Sequence, residues 1–164
     1  MLITLDESHR QLVHRVRDEA GEWLATKDTD QYRGGLDMAK VHANIDRDFD
    51  NYPFVGWEVD GEVVAMMALI DPESDFWSPE ELAQPQIYIS RFFVVEHGKG
   101  YGDALLRAVE DLAREQGKSW VRMNVWSTNT KLHDYYLKRG YDHIRTCQVP
   151  GRMSGALFQK RIIT

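Results

Sequence analysis

Cysteine is nearly absent: Cys147 is the only one in 164 residues, which excludes an internal disulfide and a multi-cysteine zinc site. Cys147 itself reads as a small buried apolar residue, with a covalent nucleophilic role as the alternative. Long apolar runs are also missing. The longest, Val63 to Ile70, falls far short of the roughly 20 residues of a membrane-spanning helix. There is no basic excess either: 20 Lys and Arg against 26 Asp and Glu give a net charge of -6, a field that does not attract nucleic acid. The same balance serves solubility and is compatible with a cationic small-molecule partner. Residues Met1 to Glu7 turn acidic after five positions and lack the charged, apolar and small-residue succession of a signal peptide. The expectation is a cytoplasmic protein with no nucleic-acid or membrane partner.

What is present is a globular composition, 43% apolar and 28% charged. At roughly 100 to 200 residues per domain the length predicts one domain over residues 1–164, able to bury roughly 70% of its unfolded surface. Met1 to Leu5 reads as a short strand, and Asp6 or Ser8 can cap the helix after it. Leu12, Val13, Val16, Ala20, Trp23 and Leu24 recur at helical spacing to about Thr26. A loop over Asp28 to Gly35 precedes a second helix from Leu36 to about Phe49, carrying Met38, Val41 and Ile45. Phe54 to Val59 and Glu62 to Ile70, joined by Asp60-Gly61, form a hairpin pattern. Pro72, Pro79 and Pro85 mark Asp71 to Pro85 as a long loop. Gln86 to Val95 is a strand, interrupted by Ser90 and Arg91, and it runs into Gly98, Gly100 and Gly102. A helix with Leu105, Ala108, Val109 and Leu112 on one face follows and stops at Gly117. Trp120 to Trp126 is a strand, Asn129 to Arg139 a short helix closed by Gly140, and Tyr141 to Gln148 and Ala156 to Ile163 are the last strands. The order is βααβββαβαββ.

Chemistry enters at the strand-glycine-helix junction. A helix N-terminus carries unpaired N–H groups and about half a positive charge, so glycines that expose the backbone there can hold a phosphate. His97-Gly98-Lys99-Gly100-Tyr101-Gly102 offers this arrangement. No GxxxxGK[ST] is present, and Asp103 occupies the third glycine position of GxGxxG, so both common nucleotide motifs fail. A plain turn remains the alternative reading of such a triplet.

The junction resembles the GCN5-related N-acetyltransferase (GNAT) family, whose motif (Arg or Gln)xxGx(Gly or Ala) aligns with His97, Gly100 and Gly102. The asparagine, tyrosine and Gly-Phe or Gly-Tyr that often follow in that family align with Asn129, Tyr136, Gly140 and Tyr141. Tyr88 to Val94 and Trp120 to Trp126 look like a subgroup of small bacterial members. His97 replaces the Arg or Gln, and the proline often found before the loop is missing. A cationic contact to the pyrophosphate is then weaker, or comes from Lys99.

The resemblance implies an α/β (α+β) GNAT fold: a twisted mixed sheet with splayed middle strands and helices on both faces. It also implies acetyl-CoA as donor and an amine of a small molecule or peptide as acceptor, in a monomer or homodimer. Phe93, Val94, Val95, His97, Gly98, Lys99, Gly100, Tyr101, Gly102, Asn129 and Tyr136 are the expected coenzyme A contacts. Tyr136 looks like the family's general acid, because a phenol titrating near 10 can protonate a thiolate whose conjugate acid titrates near 8.5. Tyr135 is its rival, and a core role is the alternative for either. Glu58, Ser90, His133 or relayed water are candidates for the base, and Arg91 reads as a structural or acceptor-side charge. On the acceptor side, Trp23, Tyr32, Trp77 and Tyr88 beside Asp28, Asp30 and Asp37 could attract an ammonium group, or the tryptophans could be core and the aspartates loop solvation. A non-catalytic acyl-CoA binding or sensing module is the alternative function.

Metal chemistry is not expected. Asp46, Asp48 and Asp50 imitate a calcium loop, but Asn51 stands where glycine is needed and Trp57 where a bidentate glutamate is needed. The run reads as a charged helix end. No HExxH is present, and Ser154 lacks a nucleophile elbow.

Overall fold

A computed structural model describes residues 1–32 and 36–163; Arg33, Gly34 and Gly35 of the expected loop lie outside the described residues. The chain divides into two compact units interleaved in sequence: Met1–Ile70 with Ser90–Val109, and Asp71–Ile89 with Glu110–Thr164.

The first unit opens with β1 (Leu2–Thr4) and a 3₁₀ turn over Glu7–His9, capped by the Asp6 carboxylate, which accepts from the Ser8 N–H. Helix α1 (Arg10–Ala25) follows. Helix α2 (Met38–Asn51) begins two residues later than expected, because Asp37 has extended backbone and its side chain caps the Lys40 N–H. Strands β2 (Phe54–Val59) and β3 (Glu62–Ile70) form the expected hairpin. Asp60 and Gly61 both have positive φ, 51° and 81°, as a type I′ turn requires. β2 also pairs antiparallel with β1. Val13 and Val16 of α1 and Ile45 of α2 bury their apolar faces against Leu5, Phe54, Met66, Ala68 and Phe93.

The polar faces of α1 and α2 pair reciprocally. His14 Nε2 lies 2.8 Å from Asp46 Oδ1, His42 Nε2 lies 2.9 Å from Asp18 Oδ1, and the two imidazoles meet edge to face at 4.7 Å. Arg10 reaches Asp46 and Asp50, and Arg91 takes Asp48. The acidic run read as a charged helix end therefore points its carboxylates at protein cations.

The second unit corrects one expectation. The stretch from Asp71 to Pro85 is not all loop, because it holds the one-turn helix α3 (Pro79–Leu82). Ser78 and Glu81 form a capping box around it and Pro79 starts it, a position where the missing N–H has no helical partner to lose. Strand β4 (Gln86–Val94) is divided: its first four residues belong to this unit, the rest to the first. Helix α4 (Tyr101–Glu115) is divided after Val109. Then come β5 (Trp120–Val125), α5 (Thr130–Leu137), β6 (Asp142–Thr146) and β7 (Ala156–Arg161). Apart from α3 the observed order is the expected one.

β4 pairs parallel with β5 over Gln86–Tyr88, β5 antiparallel with β7, and β7 antiparallel with β6. Hydrogen bonding through β4 gives a seven-stranded mixed sheet in the order β1-β2-β3-β4-β5-β7-β6. Arg122 of β5 is buried between the Trp77 and Trp120 rings, with its guanidinium donating to Gln159, Gln84, Gln86 and the Glu81 carbonyl. Cys147 is only half-buried, its Sγ 3.6 Å from the Phe76 carbonyl, rather than in the core.

Candidate active site

In the first unit, the chain leaves β4 through Val95, whose N–H donates to the Val64 carbonyl at 2.9 Å. Gly98 and Gly100 take φ of 83° and 76°, a region that L side chains rarely occupy. A Cβ at either would meet nothing within 4 Å, so the backbone faces open space. The Gly100 carbonyl accepts the first helical bond of α4, from the Ala104 N–H at 3.0 Å. The Tyr101 and Gly102 amides precede that bond and so have no helical acceptor. Lys99, expected as a cation for the phosphate, is paired with Glu96 at 2.9 Å, and that carboxylate raises its pKa.

His97 stacks face to face on Trp23, with centroids 3.7 Å apart and planes 6° from parallel. Lys27 Nζ lies 4.9 Å from the centre of the Trp23 ring. Burial, and then the Lys27 charge, lower the His97 pKa below its ordinary value, which favours the neutral imidazole.

Of the other residues expected in this unit, Phe93 packs in the core and Val94 is half-buried. Ser90 is half-buried next to Arg91, whose φ of 50° puts a left-handed residue inside a strand. Such a residue re-aims the side chains that follow, and the Nε of Arg91, donating to Asp48 Oδ2 at 2.8 Å, holds it in place. Glu58 is half-buried at a register shift beside Trp57 and stands opposite Val63, at the hairpin end of β2.

In the second unit, the downstream part of the resemblance is a helix with both ends closed. Asn129 is the N-cap of α5, its side chain accepting from the Leu132 N–H at 3.2 Å. At the other end Gly140 has φ of 88°, its N–H donates to the Leu137 carbonyl, and the Tyr141 N–H donates to the Tyr136 carbonyl. These two bonds form a Schellman cap, with its usual apolar contact supplied by the Tyr136 and Tyr141 rings 5.8 Å apart. Tyr136 is 5% exposed and also faces Tyr135 and Phe158. Tyr135 instead carries the Arg139 guanidinium 3.5 Å above its ring. His133 Nε2 lies 2.8 Å from the Trp126 carbonyl. A carbonyl only accepts, so Nε2 holds the ring proton, and a base role falls to Nδ1.

Sequence reasoning missed the group beneath Tyr141. Its hydroxyl donates to Glu110 Oε2 at 2.8 Å, and Lys160 Nζ reaches Glu110 Oε1 at 2.8 Å and the Arg139 carbonyl at 3.0 Å. Burial, then the Glu110 charge, pushes the Tyr141 phenol well above its ordinary range. The available signal was Glu110 itself, a carboxylate on the same helical stripe as Leu106, Val109 and Ala113.

The four aromatics expected on the acceptor side have other partners. Trp77 and Tyr88 are buried in the second unit: Trp77 Nε1 donates to the Tyr88 hydroxyl at 2.9 Å, and that hydroxyl donates to Asn124 Oδ1. Their faces are core, which corrects the acceptor reading for both. Tyr32 lies 4.2 Å from the Arg17 guanidinium and Trp23 is stacked on His97. Asp37 caps α2, while Asp28 and Asp30 are exposed.

A mixed sheet whose fourth strand runs through left-handed glycines into a helix is an arrangement that can hold a phosphate-bearing ligand. The acetyltransferase (GNAT) family model matches residues 11–141, and the chain belongs to that family. An uncharacterized N-acetyltransferase from the pepI 3′ region of Lactobacillus delbrueckii subsp. lactis is 32% identical over 85 residues, 51% of this chain and 47% of that protein. The match thus spans about half of that relative's length. Among solved structures, the chain is similar to an N-acetyltransferase of Staphylococcus aureus Mu50 (TM-score 0.68, 16% identity, covering 99% of this chain and 98% of the other). It is also similar to the ribosomal-protein-alanine N-acetyltransferase of Brucella melitensis (TM-score 0.66, 18% identity, 98% and 99% covered). A third is the paia N-acetyltransferase of Thermoplasma acidophilum in complex with coenzyme A (TM-score 0.64, 18% identity, 98% of each chain).

Proposed function

We propose that this chain is a single-domain N-acyltransferase that moves an acetyl group from acetyl-CoA to a primary amine of a small molecule or peptide. The observation that carries the reading is the loop from Gly98 to Gly102, left-handed at Gly98 and Gly100 and opening α4, inside the span matched by the family. Its amides and the helix dipole bind the diphosphate of the donor. A coenzyme A complex of a protein with the same fold is consistent with this choice of donor.

The chemistry is a direct displacement. The amine nitrogen attacks the thioester carbonyl, the C–S bond breaks, and the thiolate takes a proton from the Tyr136 hydroxyl. The amine gives up its proton to Glu58, or through the Ser90 hydroxyl or an ordered water to bulk solvent. Asn129 fixes the start of α5, the helix that carries Tyr136. The acceptor lies near the acidic, exposed Asp28 and Asp30, which favour an ammonium group.

A second reading, an acyl-CoA binding module without turnover, is favoured by one observation: the Schellman cap and ring contacts account for Tyr136 without catalysis. Thiol release from acetyl-CoA, measured across a panel of amines, separates the two. Release that depends on an amine supports the transferase; tight coenzyme A binding with no release under any amine identifies the module. Absence of coenzyme A binding removes both.

A further inference from the structure

We propose that Trp23 is a positioning residue for diphosphate binding: its stack with His97 fastens the loop ahead of Gly98 to the end of α1 and presents the imidazole toward the anion. The inference rests on the diphosphate-loop reading above.

Three features of the structure support it. His97 immediately precedes Gly98, so fixing the imidazole fixes the entry to the left-handed pair Gly98 and Gly100. The stack is close and nearly parallel, while Trp23 is 38% exposed, too much for the ring to be explained as core. The other side of its surroundings is cationic: Lys27 Nζ lies over the Trp23 ring, 4.9 Å from its centre. Loops that carry two left-handed glycines are otherwise free to sample many conformations, and holding one before the ligand arrives reduces the entropy lost on binding.

The charged groups around His97 set its protonation. Lys27, beyond the end of α1, opposes a positive imidazole, and in the loop itself Glu96 and Lys99 are paired with each other. An incoming diphosphate adds negative charge and favours the imidazolium, so binding draws a proton onto His97. Affinity for coenzyme A then strengthens as the pH falls from 8 toward 6.

The test compares coenzyme A with acetyl-pantetheine, a truncated donor lacking the diphosphate. Trp23→Leu should weaken coenzyme A binding about tenfold, the scale of one lost aromatic contact, and leave the KM for acetyl-pantetheine unchanged. Trp23→Phe, which keeps a ring, should restore most of the loss. His97→Leu should remove the pH dependence, and adding Trp23→Leu to it should cause no further loss, which keeps the test decisive if either single variant folds poorly. Equal loss for both donors, or no loss for either, overturns the role of Trp23 while the loop reading stands. A wild-type protein that binds no coenzyme A overturns the loop reading itself.

Discussion

The backbone N–H of Tyr141 donates to the carbonyl of Tyr136 at 3.1 Å, and the two rings meet at 66°. That hydrogen bond is one of the two that close α5, the helix carrying the proposed acid. Below it, the Tyr141 hydroxyl is anchored on Glu110. The consequences can be separated by substitution.

Tyr136→Phe keeps the ring, its contacts with Tyr141 and Phe158, and the helix cap, and removes only the hydroxyl. Turnover should fall by about 10²- to 10⁴-fold, as expected for loss of a general acid, with donor affinity nearly unchanged. A wild-type rate moves the role to Tyr135.

Gly100→Val forces a β-branched residue to φ of 76° at the start of α4, a conformation such residues essentially avoid. The loop must rearrange, and calorimetry should detect no coenzyme A binding. Full affinity would place the diphosphate elsewhere.

Glu110→Leu leaves the Lys160 ammonium without its carboxylate and the Tyr141 hydroxyl without its acceptor. Urea unfolding should show a loss of about 3 kcal/mol, the scale of a broken, largely buried ion pair. Adding Lys160→Met removes the stranded charge, so the double variant should regain part of that stability. A double variant as unstable as the sum of the singles would refute the pairing.

Glu81 accepts from both terminal nitrogens of Arg145, and this pairing holds its carboxyl at about 2 against an ordinary 4.5. A carboxylate whose pKa is depressed by folding stabilises the native state above the unfolded value. That contribution is lost as pH falls through the folded one. Stability should therefore decline between about pH 4.5 and 2, and Glu81→Gln should flatten the decline in acid titrations followed by tryptophan fluorescence. An unchanged profile would assign acid sensitivity to other carboxylates.

Features decided within a few residues were legible in the sequence. Asp60-Gly61 marked its hairpin, and Gly117 and Gly140 marked helix ends, because a positive φ is a local demand. Motif spacing pointed to Asn129 and Tyr136, but it could not say that the same residues cap and close a helix. Partnerships between distant segments left no such trace. Nothing near Trp77 or Tyr88 distinguishes a buried aromatic from one lining a cleft; burial follows from Arg122 and Asn124 on β5. Asp46, Asp48 and Asp50 resembled solvated charge because Arg10, His14 and Arg91 come from other elements. In α3, three prolines in fifteen residues hid a single helical turn that one of them starts.

The interleaving of the two units gives them different histories during synthesis. Every segment of the first has left the ribosome once Val109 has emerged, and its core partners are then all available. Residues Asp71–Ile89 emerge earlier than the strand they need. Until β5 follows, Tyr88 lacks Asn124, and Gln84 and Gln86 lack Arg122. A nascent chain stalled shortly after Val109 should therefore expose Trp77 and Tyr88, and that segment is where a chaperone or protease would first find this protein incomplete.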